Sequence, residues 1–103
     1  MSYKIAWIPL AEKSYFEEMA FIYFKWNLNQ VIDFKTLVES NLFRLSVNPF
    51  IGKVSNRLGV YSLKISRQTT LYYRVKQEEK IIELFLFWNN LRNPLELKRL
   101  LLT

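Results

Sequence analysis

Asn48-Pro49-Phe50-Ile51-Gly52 divides this chain into two halves of different periodicity. Proline fixes its own φ and biases Asn48 away from helix, and Gly52 can take the positive φ that redirects a chain. The junction therefore predicts that a helix ends here and a loop begins.

Upstream, Ala11, Tyr15, Met19, Ile22 and Trp26 recur at three- and four-residue spacing from Leu10 to about Asn27, with Glu12, Lys13, Glu17 and Lys25 interleaved. That is an amphipathic helix. Asn27-Leu28-Asn29 breaks it, and Asn29 is the expected N-cap of a second helix that turns Val31, Phe34, Leu37, Val38, Leu42 and Leu45 inward, completing a hairpin. Ahead of both, Tyr3 to Ile8 alternates around Ile5 and Trp7 and stops at Pro9, as a short strand would.

Downstream, Phe50 to Leu58 carries Gly52, Ser55 and Asn56 with the basic pair Lys53 and Arg57, and reads as an ordered loop. Val60 to Ile65 and Thr70 to Lys76 alternate as half-buried strands. Lys80 to Trp88 is apolar on both faces, with Ile82, Leu84, Leu86 and Trp88 expected on one side and Ile81, Phe85 and Phe87 on the other. The two short connections predict an antiparallel meander. Pro94 suits the first position of a short terminal helix over Leu95 to Leu102. The expected fold is α+β: an N-terminal strand, a helical hairpin packed on an antiparallel sheet ending in a three-strand meander, and a short C-terminal helix, with residues 1–103 as one domain.

Composition narrows function. Half of the 103 residues are apolar and 17% aromatic, against two glycines and three prolines, which is a packed core and not a disordered tail. With no cysteine and no histidine, disulfides, thiolate metal sites, the usual zinc ligand and the usual neutral-pH base are removed, so no metal and no cofactor is expected. Fifteen Lys and Arg against nine Asp and Glu leave a charge of +6. That balance suits polyanionic partners such as nucleic acid, the ribosome or an acidic peptide, and equally a basic domain that is simply well solvated. Glu17, Glu18, Lys25 and Asp33 interrupt the apolar helices and no long apolar stretch follows the N-terminus, so a cytoplasmic protein without a membrane segment is expected.

If the helices cover the face bearing Leu63, Ile65, Leu71, Tyr73 and Leu84, the opposite face displays Lys64, Tyr72, Arg74, Phe85 and Phe87. Cations bind phosphates and aromatic rings stack on bases, so such a face suits single-stranded RNA. On the competing reading Lys64 and Arg74 are solvated strand residues, and the aromatics form a second core beneath the C-terminal helix. Arg92 sits in the turn after the last strand, where a guanidinium either caps neighbouring carbonyls or reaches a partner's carboxylate or phosphate. Phe16, Phe21, Tyr23 and Phe24 exceed what one buried stripe of the first helix uses; they either pack on the sheet edge or the terminal helix, or serve a partner.

Taken with the 48–52 break and the strands after it, the closing Phe87-Trp88-Asn89-Asn90-Leu91-Arg92-Asn93-Pro94 resembles the RelE/ParE superfamily of small bacterial toxins of type II toxin–antitoxin pairs, over nearly the whole chain. The resemblance implies a cytoplasmic growth inhibitor that a cognate antitoxin neutralises in a hetero-oligomer. RelE-type members are mRNA endonucleases dependent on the ribosome, using a strand lysine pair, arginines near the sheet and a C-terminal tyrosine. Here Lys64 matches one lysine, while Ser62, Thr70, Leu91 and Leu97 stand where the second lysine, two arginines and the tyrosine would be, with Arg92 one residue along. Catalytic candidates under that reading are Lys64, Arg67, Arg74 and Arg92. The replacements shift the resemblance toward the ParE-like branch, which is similar to inhibitors of DNA gyrase that act by binding. Target-binding candidates are then Lys53, Arg57, Lys64, Tyr72, Arg74 and Arg92. A basic binding module without toxicity is the reading outside the family.

Overall fold

Pro9 converts the end of the first strand directly into a helix. Ile8 is extended, with φ −81° and ψ 159°, and Pro9 takes the first helical position, where its missing N–H costs nothing. The computed structural model describes residues 2–55 and 59–102. In chain order these form β1 (Lys4–Trp7), α1 (Pro9–Lys25), α2 (Leu28–Val47), β2 (Lys53–Val54), β3 (Val60–Lys64), β4 (Thr69–Lys76), β5 (Ile81–Asn89) and α3 (Pro94–Leu102). The expected α+β architecture is observed, with the hairpin on one face of the sheet and α3 on the other.

Several details differ from expectation. The cap of α2 is Asn27, whose Oδ1 accepts from Gln30 N at 3.0 Å; Asn29 is already helical. The segment after Pro49 is not all loop, because Lys53 and Val54 pair antiparallel with Ser62 and Tyr61. Among the described residues the sheet therefore has five strands in the order β1-β5-β4-β3-β2, and β1 lies parallel to β5 while the other pairs are antiparallel. Gly52 is needed for space: Tyr73 Oη donates to Pro49 O at 2.9 Å and accepts from Gly52 N at 3.0 Å, which presses the glycine against the tyrosine. The glycine with positive φ is Gly59, at 67°.

The largest departure is in β5. Tyr72 pairs with Leu86 but Tyr73 pairs with Leu84, so Phe85 is the extra residue of a β-bulge. A one-residue insertion reverses the alternation beyond it. Phe87 thus joins Ile82 and Leu84 in the core under the helices, in ring contact with Trp7 and Tyr15, whereas Phe85, Leu86 and Trp88 form a second core. Leu97, Leu100 and Leu101 of α3 cover that second core. Phe85 and Phe87 are consequently both buried, and neither lies on an open aromatic face.

The first helix also buries polar groups. Ser14 and Glu18 lie on the buried stripe with Ala11 and Ile22, while Trp26, at the C-cap, is 44% exposed. Ser14 Oγ donates to Ala11 O at 3.1 Å and accepts from Phe87 N at 2.9 Å, satisfying a backbone donor beyond the bulge. Glu18 receives Thr69 Oγ1 on one carboxylate oxygen and Asn89 Nδ2, at 3.1 Å, on the other. Thr69 and Asn89 face each other across β4 and β5, so one carboxylate pins the ends of two strands to α1.

Candidate functional site

Where α3 stops covering the second face of the sheet, an open strip remains over β2, β3 and β4. Lys53 pairs with Ser62, and Ser62 with Tyr72, which sets these side chains in one cross-strand row; Lys64 and Thr70 form the next. Arg44, reaching from α2, joins Lys53, Ser62, Lys64, Thr70 and Tyr72 around a cavity of about 510 Å³. Three cations and three hydroxyls converge there, and no carboxylate is among the described lining residues.

Three of these residues are held by their surroundings, while Lys53 and Lys64 are exposed. Arg44 Nη1 donates to Asn41 Oδ1 at 2.9 Å, and Asn41 in turn donates to Leu37 O at 2.8 Å, so the guanidinium is braced from its own helix. Thr70 Oγ1 donates to Asn90 Oδ1 at 3.0 Å. Tyr72 packs against the second core at the strip's rim. Burial pushes its hydroxyl above the ordinary tyrosine value, so at neutral pH it stays an O–H donor. The strip is thus a positively charged surface, with the Tyr72 hydroxyl at its rim, suited to phosphates or carboxylates.

Of the residues singled out from sequence, Lys53, Lys64 and Tyr72 meet here. Arg57 lies outside the described residues. Arg67 lines a different cavity of about 360 Å³, with Trp26 and Asp33. Arg74 lies over the Phe85 ring, its guanidinium carbon 5.2 Å from the centroid and its Nε buried without a hydrogen-bond partner. Arg92 stacks on Trp88 at 4.5 Å and donates to Glu96 Oε2 at 2.8 Å, fastening the turn to the first turn of α3. Ser62 and Thr70 face the strip, Leu91 is exposed in the turn, and Leu97 is spent on the second core. Arg44 was missed because its helical spacing marks only a solvated face; its approach to β3 follows from the hairpin's placement. Among the described residues no cluster of three or more His, Cys, Asp or Glu suits a metal, and no helix is long and apolar enough to cross a membrane.

The buried phenols give a pH prediction. Burial raises Tyr15, Tyr72 and Tyr73; Glu39 adds to the rise at Tyr15, and at Tyr73 the Gly52 hydrogen bond opposes it while Tyr61 adds to it. The folded state holds these protons more tightly than the unfolded chain. Their stabilisation is complete below the unfolded value of about 10 and is lost as pH rises through the folded values. Tyrosinate absorbance should show the ionisation of these three delayed above the unfolded value, with the melting temperature falling over the same window. Ionisation of Tyr15, Tyr72 and Tyr73 at the unfolded value of about 10 with unchanged stability would contradict this.

No protein-family model matches the chain, and no curated protein matches it in sequence. Solved structures do match. A chain of the chromosomal ParDE toxin–antitoxin system of P. aeruginosa superposes with a TM-score of 0.71 at 16% identity, covering 85% of this chain and 96% of that one. A chain of the RelBE2 toxin–antitoxin complex of Mycobacterium tuberculosis gives 0.62 at 18% identity, over 86% and 99%. The isolated RelE toxin of E. coli gives 0.62 at 16% identity, over 95% of each chain. The protein therefore has the fold of the RelE/ParE toxins.

Proposed function

We propose that this protein is the toxin of a type II toxin–antitoxin pair, that residues 1–103 act as one toxin domain in the bacterial cytoplasm, and that a cognate antitoxin neutralises it. The cationic strip of Lys53, Lys64 and Arg44 carries this reading, set in a fold whose solved examples include RelE and chains of the ParDE and RelBE2 systems. Inhibition acts through a nucleic-acid-linked target, with binding to DNA gyrase preferred over cleavage of ribosome-bound mRNA. Two observations support the preference. Arg74 and Arg92 lie on rings of the second core and Arg67 lines another cavity, so none of the arginines that the RelE-type pattern points to joins Lys64, and the arginine that does, Arg44, comes from α2. The ParDE chain also superposes better than the RelE toxin.

Expression in bacteria without the neighbouring gene product should arrest growth, and co-expression with a small acidic neighbour should restore it. Normal growth while soluble folded protein accumulates would leave a non-toxic binding module as the better account. In arrested cells, primer extension should reveal no new mRNA ends at A-site codons, and a DNA-damage response should appear; cleavage at those codons would assign the RelE mechanism instead.

Lys53→Ala plus Lys64→Ala should relieve the arrest without unfolding the chain, because both side chains are exposed. Each exposed substitution is expected to change stability by less than ~0.5 kcal/mol. Binding to a single-stranded polyanion should lose about 1.4 from its salt slope, at ~0.7 per lost phosphate contact. An unchanged slope and persistent arrest in the double variant would remove the strip from function.

A further inference from the structure

We infer that the pocket between α1 and the turn joining β5 to α3 binds an organic cation, an alkylammonium or guanidinium group, seated on the Glu18 carboxylate. This pocket lies on the helix-covered face of the sheet, away from the cationic strip, and the inference does not depend on the proposed toxin function. Its volume is about 340 Å³, within the range of small-ligand sites, and Glu17, Phe21, Phe87, Asn89 and Leu91 line it with Glu18.

Glu18 is the reason for the assignment. The residue is 4% exposed, yet both hydrogen bonds to its carboxylate come from neutral donors, the Thr69 hydroxyl and the Asn89 amide. No Lys or Arg among the described residues forms an ion pair with it. A buried charge is ordinarily matched by an opposite one, since neutral hydrogen bonds offset only part of its desolvation. Each carboxylate oxygen takes one of these bonds and keeps a further lone pair. Arg92 also lines the pocket but is engaged elsewhere, stacked on Trp88 and bonded to Glu96.

The walls suit the same ligand. The Phe21 ring already accepts one cation, Lys25 Nζ at 5.5 Å from its centroid, and Phe21, Phe87 and Leu91 offer apolar surface to an alkyl chain. Glu17 adds a second negative charge beside Glu18. A ligand with a cationic head and a short apolar stem would place the head at Glu18 and the stem along these walls. A free amine and a lysine or arginine side chain of a partner share this chemistry.

The test is an NMR titration of the intact protein with n-butylammonium chloride, with n-butanol as the neutral probe of equal length. Saturable shifts of the Asn89 side-chain amide and the Ser14 and Leu91 backbone amides are expected with the ammonium, and at least roughly tenfold weaker binding of the alcohol. Equal responses to both probes would make this an apolar crevice and overturn the assignment. Glu18→Gln should weaken ammonium binding by at least roughly tenfold. Because that variant disturbs a buried network, Glu17→Gln, at an exposed position, serves beside it and should weaken binding severalfold with the melting temperature unchanged. Retained affinity in either folded variant counts against the site. Competition then separates the sources: displacement of butylammonium by spermidine points to a free amine, and displacement by a short lysine-bearing peptide points to a partner's side chain.

Discussion

Gly52→Ala should destabilise the protein by about 2–3 kcal/mol, although it adds a single methyl group to a residue that is not fully buried. A Cβ at this position would sit 2.5 Å from Tyr73 Oη and 2.6 Å from Ser62 O. The first neighbour cannot swing aside cheaply, because the Tyr73 hydroxyl is bonded to both Pro49 O and Gly52 N and its ring lies in the core, stacked on Tyr61 at 5.6 Å. The second is backbone within a paired strand. Relief requires either breaking the tyrosine's bonds, which leaves buried polar groups unsatisfied at about 1–3 kcal/mol, or peeling β2 from β3. Thermal unfolding followed by circular dichroism should shift down by roughly 10 °C or more for a chain of this size.

Tyr73→Phe separates the two contributions. Alone it should cost about 1–3 kcal/mol through the orphaned Pro49 carbonyl and Gly52 amide. Combined with Gly52→Ala it should cost less than the sum, because one of the two clashes is already gone. Strict additivity, or a Gly52→Ala loss below ~0.5 kcal/mol, would show that the junction has room the structure denies it. Since Lys53 follows directly, peeling β2 would also weaken polyanion binding under conditions where the variant remains folded.

The junction was legible in sequence as a break but not as a packing constraint. Asn-Pro announces a helix end through local sterics alone, whereas the need for glycine at Gly52 depends on a tyrosine 21 residues away. The same distinction runs through the rest of the molecule. Helices and strands were readable because apolar spacing is a local property, and β2 was not, because two exposed residues, Lys53 and Val54, pair only through the register of β3. Ser14 was not singled out in sequence, and Glu18 counted only as a charge interrupting the apolar helix. Their spacing with Ala11 and Ile22 placed them on the buried stripe, and matching polar residues stood at the sheet ends, but nothing local joined Glu18 to Thr69 and Asn89. At the candidate site, alternation along β3 and β4 put Lys64 and Tyr72 on one face. It could not say that Arg67 lies by another cavity or that Arg74 and Arg92 are stacked on rings of the second core.

Phe87→Ala tests the element that sequence read least well. Strict alternation from Ile81 puts Phe87 beside Phe85 on an open face, where truncation of a ring would cost little. The strand conceals its bulge, because Glu83 marks a face before it but every residue from Leu84 to Trp88 is apolar, so no polar residue marks the phase change. In the structure Phe87 is 2% exposed, its ring 5.5 Å from Trp7 and 5.2 Å from Tyr15, and its amide is bound by Ser14 Oγ. Removing a fully buried ring costs about 3–5 kcal/mol, the sum of lost transfer energy and the cavity left behind. That is a large fraction of the stability of an ordinary domain. Urea denaturation should show this loss, with the near-ultraviolet dichroism of the Trp7–Tyr15 cluster weakened in whatever remains folded. Phe24→Ala is the control: that ring is 85% exposed, and its truncation should change stability by less than ~0.5 kcal/mol. A Phe87→Ala loss as small as the control's would put the ring back on the open face and remove the bulge at Phe85. A large loss fixes the bulge in place, and with it the reversal that brings Asn89 under Glu18 and leaves Trp88 for Arg92 to stack on.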